Sequence, residues 1–204
     1  MTRVKICGLR REEDIKIVNS CSPDYAGFIL SQGFKRTVGY SDFLRLVKNV
    51  KAEIQTVGVF VNEPIESILK FAEHLDVLQL HGDEDASYAT TLRQKTDRKI
   101  IKAIRAKSPD DIERFNGYPC DYLLIDAYKK GEYGGTGKVA DWGIIKRAKI
   151  SKPFFLAGGI SSENVLDAIN ALSPFCVDAS SSVETDGFKD ERKVEKLISI
   201  TRKE

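Results

Sequence analysis

The sequence predicts an α/β fold, a single (β/α)8 barrel (TIM barrel) that forms one domain over residues 1–204, and three observations carry this prediction. Short apolar runs alternate with amphipathic stretches along the whole chain. The apolar runs lack strict alternation, as strands do when both of their faces are buried in a parallel sheet. Eight such units in 204 residues average 204/8 = 25.5 residues each, which suits a minimal barrel.

Eight apolar segments are the predicted strands. In chain order they are Arg3–Cys7, Tyr25–Leu30, Ile54–Val61, Val77–Leu80, Ile100–Ile104, Tyr122–Asp126, Pro153–Ala157 and Phe175–Ala179. Because helices separate them, the crossovers should be right-handed and the strands parallel.

Amphipathic patterns and helix start signals place helices between these strands. Within Glu12–Ser20, Ile15 and Val18 share one face, and the apolar residues of Glu66–Leu75 do the same. Hydroxyl, carboxylate and proline residues mark helix beginnings. These signals are Ser41-Asp42 for the second helix, Asn62-Glu63-Pro64 for the third, Ser108–Asp111 for the fifth and Ser161–Asn164 for the seventh.

A doubly wound open sheet is the alternative fold, since it also alternates strands and helices. It usually has fewer strands and a G-x-G-x-x-G turn after the first strand. Here that turn reads Cys7-Gly8-Leu9-Arg10-Arg11, which lacks the motif. The barrel is therefore favoured.

Composition excludes several classes of protein. The 32 basic and 30 acidic residues leave a charge of +2, without the basic excess of a nucleic-acid binder. No apolar run reaches the length of a membrane span, about 18 residues, and the N-terminus resembles no targeting segment. The four cysteines form no C-x-x-C pair, and only two histidines are present, so neither a disulfide framework nor a zinc site is expected. We expect a cytoplasmic protein, a monomer or homodimer, without nucleic-acid or membrane partners.

In a barrel, the carboxyl ends of the strands and the loops after them build the active site. This rule selects a set of polar or reactive residues. They are Cys7, the loop pair Lys35-Arg36, His81, Asp126, the pair Gly158-Gly159, Asp178 and the triple serine Ser180, Ser181 and Ser182.

Two of these residues can transfer protons. Cys7 ends the first strand, and a thiolate there could accept a proton, although most free cysteines are only small buried hydrophobes. Asp126 follows four apolar residues, where burial favours the protonated carboxyl group of a general acid. Its alternative role is a helix cap or an ion-pair partner. For Cys21, Cys120 and Cys176 the purely structural interpretation is preferred.

The last two strands are followed by candidate anion-binding loops. Gly158-Gly159 and Ser180–Ser182 offer backbone N–H groups where this fold commonly binds phosphate. Four glycines lie in Gly131–Lys138, which could form a lid over the substrate or an irregular connection. Val139 follows Lys138, so the segment lacks the ending of a Walker loop.

Several segments together resemble the phosphoribosylanthranilate isomerase family of tryptophan biosynthesis, in family order and spacing over nearly the whole chain. They are Lys5-Ile6-Cys7-Gly8, Gly58–Asn62, Leu78–Gly82, Tyr133–Lys138 with Asp141-Trp142, Leu156–Ile160, Asn164-Val165, Val177–Ser181 and Val183-Glu184.

The resemblance implies an Amadori rearrangement that needs neither cofactor nor metal. The substrate would be N-(5-phosphoribosyl)anthranilate and the product 1-(carboxyphenylamino)-1-deoxyribulose 5-phosphate. By resemblance, Cys7 is the base at C2′, Asp126 is the acid at the furanose oxygen, and Arg36 contacts the anthranilate carboxylate. A planar guanidinium suits a planar carboxylate. His81 and Asp178 are expected to bind substrate, and the glycine and serine loops to bind phosphate.

One departure from the family pattern is Ser182, where the family commonly has glycine. A positive φ there would strain serine, because its Cβ would crowd the backbone.

Two other functions compete. The histidine-pathway isomerase family resembles two fused half-barrels, each with its own phosphate loop, and uses aspartate in place of Cys7. Here the third and fourth strands end in Val61-Asn62 and His81-Gly82, which provide no second phosphate loop. A catalytically silent phosphosugar-binding barrel would need neither Cys7 nor Asp126.

Overall fold

A closed barrel of eight parallel strands forms the centre of the molecule. The computed structural model describes residues 1–126 and 142–203. Each strand pairs with its neighbours in chain order, and parallel pairing of the first with the eighth closes the barrel. The strands are β1 (Arg3–Cys7), β2 (Tyr25–Ile29), β3 (Gln55–Phe60), β4 (Val77–Leu80), β5 (Lys99–Arg105), β6 (Tyr122–Asp126), β7 (Phe154–Leu156) and β8 (Cys176–Ala179). The predicted barrel is confirmed, and no strand end is shifted by more than one residue.

Helices connect the strands, as the sequence predicted. They are α1 (Glu12–Cys21), α2 (Tyr40–Val47), α3 (Ile65–Ala72), α4 (Ala86–Arg93), α5 (Pro109–Glu113), α6 (Trp142–Arg147), α7 (Val165–Leu172) and α8 (Glu191–Thr201). Ser108 caps α5 through a capping box with Asp111, as expected. The predicted cap of α2 is wrong, because this helix begins after Gly39 and Asp42 lies in its first turn, paired with Arg45 instead. Among the described residues, no helix combines the length and apolar character needed to cross a membrane.

Side chains of each strand alternate between the barrel interior and the layer under the helices. On β5, Ile101 and Ala103 belong to the interior cluster, whereas Ile100 and Ile104 pack with the helices. Near the amino ends of the strands the interior is filled with aromatic rings, and Tyr122 stacks on Phe175 with centroids 5.0 Å apart. Because this end is filled with packed rings, the polar chemistry is confined to the other end.

A short hairpin after β8 was not predicted. Strand β9 (Glu184–Thr185) pairs antiparallel with β10 (Phe188–Lys189). The two residues between them, Asp186 and Gly187, have φ angles of 52° and 78°. Asp-Gly favours this positive-φ turn, which matches the twist of a hairpin. The hairpin brings Glu184 and Lys189 next to each other, and they pair at 2.7 Å.

Candidate active site

A cavity opens at the carboxyl ends of the strands, and every residue that the sequence analysis selected as catalytic or substrate-binding lines it. These residues are Cys7, Arg36, His81, Asp126, Gly158, Gly159, Asp178, Ser180, Ser181 and Ser182. The glycine-rich segment Gly131–Lys138 and Asp141, selected as a candidate lid and as part of the resemblance, lie outside the described residues.

The Cys7 thiol lies beside a buried ion pair. Lys5 precedes it by two positions on β1 and is completely buried, and its Nζ donates to Asp178 Oδ2 of β8 at 2.8 Å. Burial alone would lower the pKa of Lys5, but attraction to Asp178 and Cys7 raises it well above the usual value. Burial raises the pKa of Cys7; Lys5 opposes this rise, Asp178 adds to it and Lys189 opposes it. Burial has the largest effect, so the pKa of the Cys7 thiol lies above its usual value although two lysines lower it.

Asp126 faces an imidazole across the cavity. Oδ2 of Asp126 lies 3.5 Å from Nε2 of His81, and the other ring nitrogen, Nδ1, is 2.7 Å from the amide nitrogen of Gln79. When this amide donates to Nδ1, the ring proton is left on Nε2, which faces the carboxylate. Arg105 Nη2 also donates to the backbone carbonyl of His81 at 3.1 Å. Gln79 therefore orients the ring with its N–H towards Asp126, while Arg105 holds the backbone of the same residue.

Arg36 is held in place by a carboxylate of the protein itself. Its Nε and Nη2 donate to Glu184 at 2.8 and 2.7 Å, and Lys189 Nζ donates to the same carboxylate at 2.7 Å. Burial raises the pKa of Glu184, but the hydrogen bonds and charges of Arg36 and Lys189 outweigh this effect. The pKa of Glu184 therefore lies below its usual value. Gly8, with φ of +85°, lets the guanidinium stem pass, because a Cβ there would lie 2.6 Å from Arg36 Cδ.

The two candidate anion-binding loops are linked to each other. Gly158 and Gly159 have φ of 85° and 78°, conformations that favour glycine. Ser182 lies in a 3-10 turn, Ser181–Val183, and is not among the residues with positive φ, so the strain considered for serine at this position does not arise. Its hydroxyl instead donates to the carbonyl of Ile160 at 2.5 Å. The serine therefore ties the loop after β8 to the loop after β7.

Five residues of the site were missed by sequence reasoning. Lys5 and Gln79 lie inside strands rather than at their ends, Arg105 ends β5, and Glu184 and Lys189 lie on the unpredicted hairpin. The Asp186-Gly187 turn was a readable signal for that hairpin. Cys21, Cys120 and Cys176 do not line the cavity, in agreement with their structural interpretation. Within residues 1–126 and 142–203, no group of three or more His, Cys, Asp or Glu side chains could hold a metal ion.

Comparisons with known proteins agree on one family. A family model described as N-(5'phosphoribosyl)anthranilate (PRA) isomerase matches residues 4–200. The N-(5'-phosphoribosyl)anthranilate isomerase of Thermoanaerobacter sp. (strain X514) is 44% identical over 204 residues, covering 99% of this chain and 98% of its own length. The crystal structure of phosphoribosyl anthranilate isomerase from Thermotoga maritima is 32% identical and covers 100% of both chains with a TM-score of 0.87. A further structure of such an isomerase, in complex with reduced 1-(o-carboxyphenylamino)-1-deoxyribulose 5-phosphate, is 31% identical, covers 100% of both chains and has a TM-score of 0.83.

Proposed function

The chain belongs to the N-(5'-phosphoribosyl)anthranilate isomerase family, and we propose that it performs this family's Amadori rearrangement with Cys7 as the base and Asp126 as the acid. The reaction is an aldose–ketose isomerisation of a phosphorylated small molecule. It converts N-(5-phosphoribosyl)anthranilate into 1-(carboxyphenylamino)-1-deoxyribulose 5-phosphate. The observation that carries the proposal is that Cys7 and Asp126 line one cavity together with the two loops that hold Gly158-Gly159 and Ser180–Ser182, the candidate anion-binding loops.

The first step would open the furanose ring. Asp126 gives its proton to the ring oxygen while the C1′–O bond breaks, and the nitrogen lone pair forms an iminium. The N–H of His81 Nε2, 3.5 Å from Asp126 Oδ2, favours the carboxylate that this step leaves behind. His81 would therefore hold the acid in position rather than react itself.

The second step would move a proton from C2′ to sulfur. Cys7 as thiolate takes the proton, the C–H electron pair forms a C1′–C2′ double bond, and the iminium π pair returns to nitrogen. Tautomerisation of the resulting enolamine gives the ketose. Asp178 Oδ1 is buried at this cavity without a donor among the described residues, so it can accept a hydrogen bond from a sugar hydroxyl.

The two ends of the substrate would be held by different groups of the cavity wall. Arg36 would bind the anthranilate carboxylate with the edge of its guanidinium group that Glu184 leaves open. Backbone N–H groups near Gly159 and Ser180–Ser182 would bind the phosphate, as helix and turn N-termini commonly do.

Two alternatives are less well supported. A second phosphate, as the histidine-pathway substrate carries, would need an equivalent loop after β3 or β4, but Glu84 already accepts hydrogen bonds from the N–H groups of Asn62 and Gly82 there. A silent binding protein would have no use for a thiol beside two cations. We also propose a cytoplasmic location, which four unpaired cysteine thiols support.

A turnover assay on three variants tests the acid–base assignment. We expect kcat to fall by roughly two orders of magnitude or more in Cys7→Ala and Asp126→Asn, because each lacks one proton-transfer group. Binding of a product analogue should persist in both variants, since neither change touches Arg36 or the phosphate loops. Cys21, which does not line the cavity, provides the matched control, and Cys21→Ala should keep native turnover. Near-native turnover of Cys7→Ala or Asp126→Asn removes that residue from the mechanism.

A further inference from the structure

We propose that Lys5 is a positioning residue for the reaction: its buried ammonium group, held by Asp178, favours the thiolate form of Cys7. The inference rests on the proposed function only in taking Cys7 as the base. Lys5 touches no part of the substrate in this proposal and exchanges no proton. It acts through the sulfur alone.

Geometry brings the ammonium group and the sulfur together on one face of β1. Lys5 and Cys7 are two residues apart on this strand, so both side chains point into the barrel. The neighbouring position on β2 is Gly27, and a Cβ built there would lie 2.9 Å from Cys7 Sγ and 3.2 Å from Lys5 Cε. The missing side chain of Gly27 is therefore the space that both groups occupy.

The position of Lys5 is unusual because no solvent reaches it. Lysine almost never becomes fully buried without a partner, since a bare ammonium group would lose its hydration. Its partner Asp178 is paired opposite it in the β1–β8 register and accepts its hydrogen bond at 2.8 Å. Attraction to both Asp178 and the Cys7 thiolate keeps Lys5 charged, so Lys5 retains one anionic partner when Asp178 is replaced. Lys5 lies beside the one thiol that lines the cavity among the described residues.

Several charged groups face Cys7, and their effects differ in sign. Lys5 on β1 and Lys189 on β10 lower the pKa of Cys7, against burial and against Asp178 on β8. Arg36, in the loop after β2, also interacts with the thiolate. On the far side, Asp126 and His81 act on Asp178 in opposite directions. Removing Lys5 should therefore raise the pKa of the Cys7 thiol, and removing Asp178 should lower it. A purely structural ion pair would not give these opposite changes.

The pH dependence of Cys7 alkylation by iodoacetamide tests the proposal in the absence of substrate. Alkylation of the Cys7 peptide is followed by mass spectrometry in the wild type, Lys5→Met, Asp178→Asn and the double variant. We expect the midpoint for Lys5→Met to rise by a pH unit or more, which lowers the thiolate fraction at neutral pH by about tenfold or more. In Asp178→Asn the midpoint should fall, and in the double variant it should lie between those of the single variants.

Cys21 provides a matched control in the same samples. Cys21 is half-buried on α1, and burial together with nearby Glu191 and Glu195 raises its pKa to about 11. Because these surroundings are the same in every variant, the alkylation of Cys21 should not change. The acid limb of the kcat/KM profile should move in the same direction as the alkylation midpoint.

Three outcomes decide the matter. Midpoints that stay unchanged in folded variants, or that all move in one direction, reduce the pair to a structural role and overturn the proposal. Should Lys5→Met fail to fold because it strands a buried carboxylate, Asp178→Asn and the double variant still give the test. If the midpoints move as expected while Cys7→Ala remains active, the assignment of Cys7 as the base fails and the influence of Lys5 on the thiol stands.

Discussion

Replacing Glu184 with glutamine is a demanding test of how the site is held together. The carboxylate accepts three hydrogen bonds, two from Arg36 and one from Lys189. The side chains of Glu184 and Lys189 are almost fully buried, and that of Arg36 is 13% exposed. Glutamine keeps the shape but loses the charge, and its NH2 group would face a guanidinium N–H. Two buried cations would then lack a counter-ion.

The size of the effect follows from this burial. Breaking a buried ion pair from one side costs about 3–5 kcal/mol, because the remaining charge is uncompensated. For a domain of this size that corresponds to a loss of about 6–20 °C in Tm. The pKa of Glu184 is lowered by its two cationic partners despite burial, so its contribution is present above the unfolded carboxyl pKa of about 4.3 and is lost as the pH falls through the folded value. The difference between wild type and Glu184→Gln should therefore be largest near neutral pH and shrink in acid.

Urea unfolding at neutral and acidic pH measures this difference, and a second variant controls for charge removal alone. Glu66 pairs with Lys95 at 3.0 Å on the exposed surface, so Glu66→Gln should leave the urea midpoint unchanged. The Glu184→Gln enzyme should also show a raised KM, because Arg36 is no longer fixed. If Glu184→Gln unfolds at the same urea concentration as Glu66→Gln, the buried network contributes nothing and the reasoning is wrong.

Two further predictions concern the ends of the substrate. Arg36→Met should weaken binding of an anthranilate-bearing product analogue while leaving inorganic phosphate binding nearly unchanged in calorimetry; equal losses would assign Arg36 to the phosphate or to the fold. Ser182→Ala removes the hydrogen bond to the Ile160 carbonyl, so unfolding should cost about 0.5–1.5 kcal/mol less, with phosphate still bound through the backbone. An unchanged urea midpoint would show that the hydrogen bond between the two loops does not contribute to the free energy of unfolding.

Much of the architecture was predictable because it follows from local rules. Each barrel strand is an apolar run, and burial on both faces makes such runs stand out from helices in the sequence. The strand-end rule then selected Cys7 and Asp126 without any knowledge of packing, since the fold itself brings carboxyl ends together. The cap of α2 was missed because Gly39, which has no capping side chain, begins the helix.

The charged network around Arg36 was not predictable from its own neighbourhood. Glu184 is 148 residues away in sequence, and nothing near Arg36 indicates that a carboxylate will hold it. The contact depends on a two-residue hairpin whose register fixes Glu184 opposite Lys189. Long-range pairs of this kind follow from tertiary packing, whereas sequence patterns report chiefly on local structure and burial.

The inward-facing residues beneath the strand ends could have been predicted from the sequence. Side chains alternate along a strand, so counting back two positions from an inward-facing residue gives another inward-facing residue. From Cys7 this count gives Lys5, which interacts with the Cys7 thiol. From His81 it gives Gln79, which contacts the imidazole ring that faces Asp126. From Asp126 and Asp178 it gives Leu124 and Cys176, both part of the interior cluster. A buried lysine whose parity matches that of the reactive residue therefore marks the layer beneath a barrel site. In this layer, according to the proposal for Lys5, a charge acts on the thiol without touching the substrate.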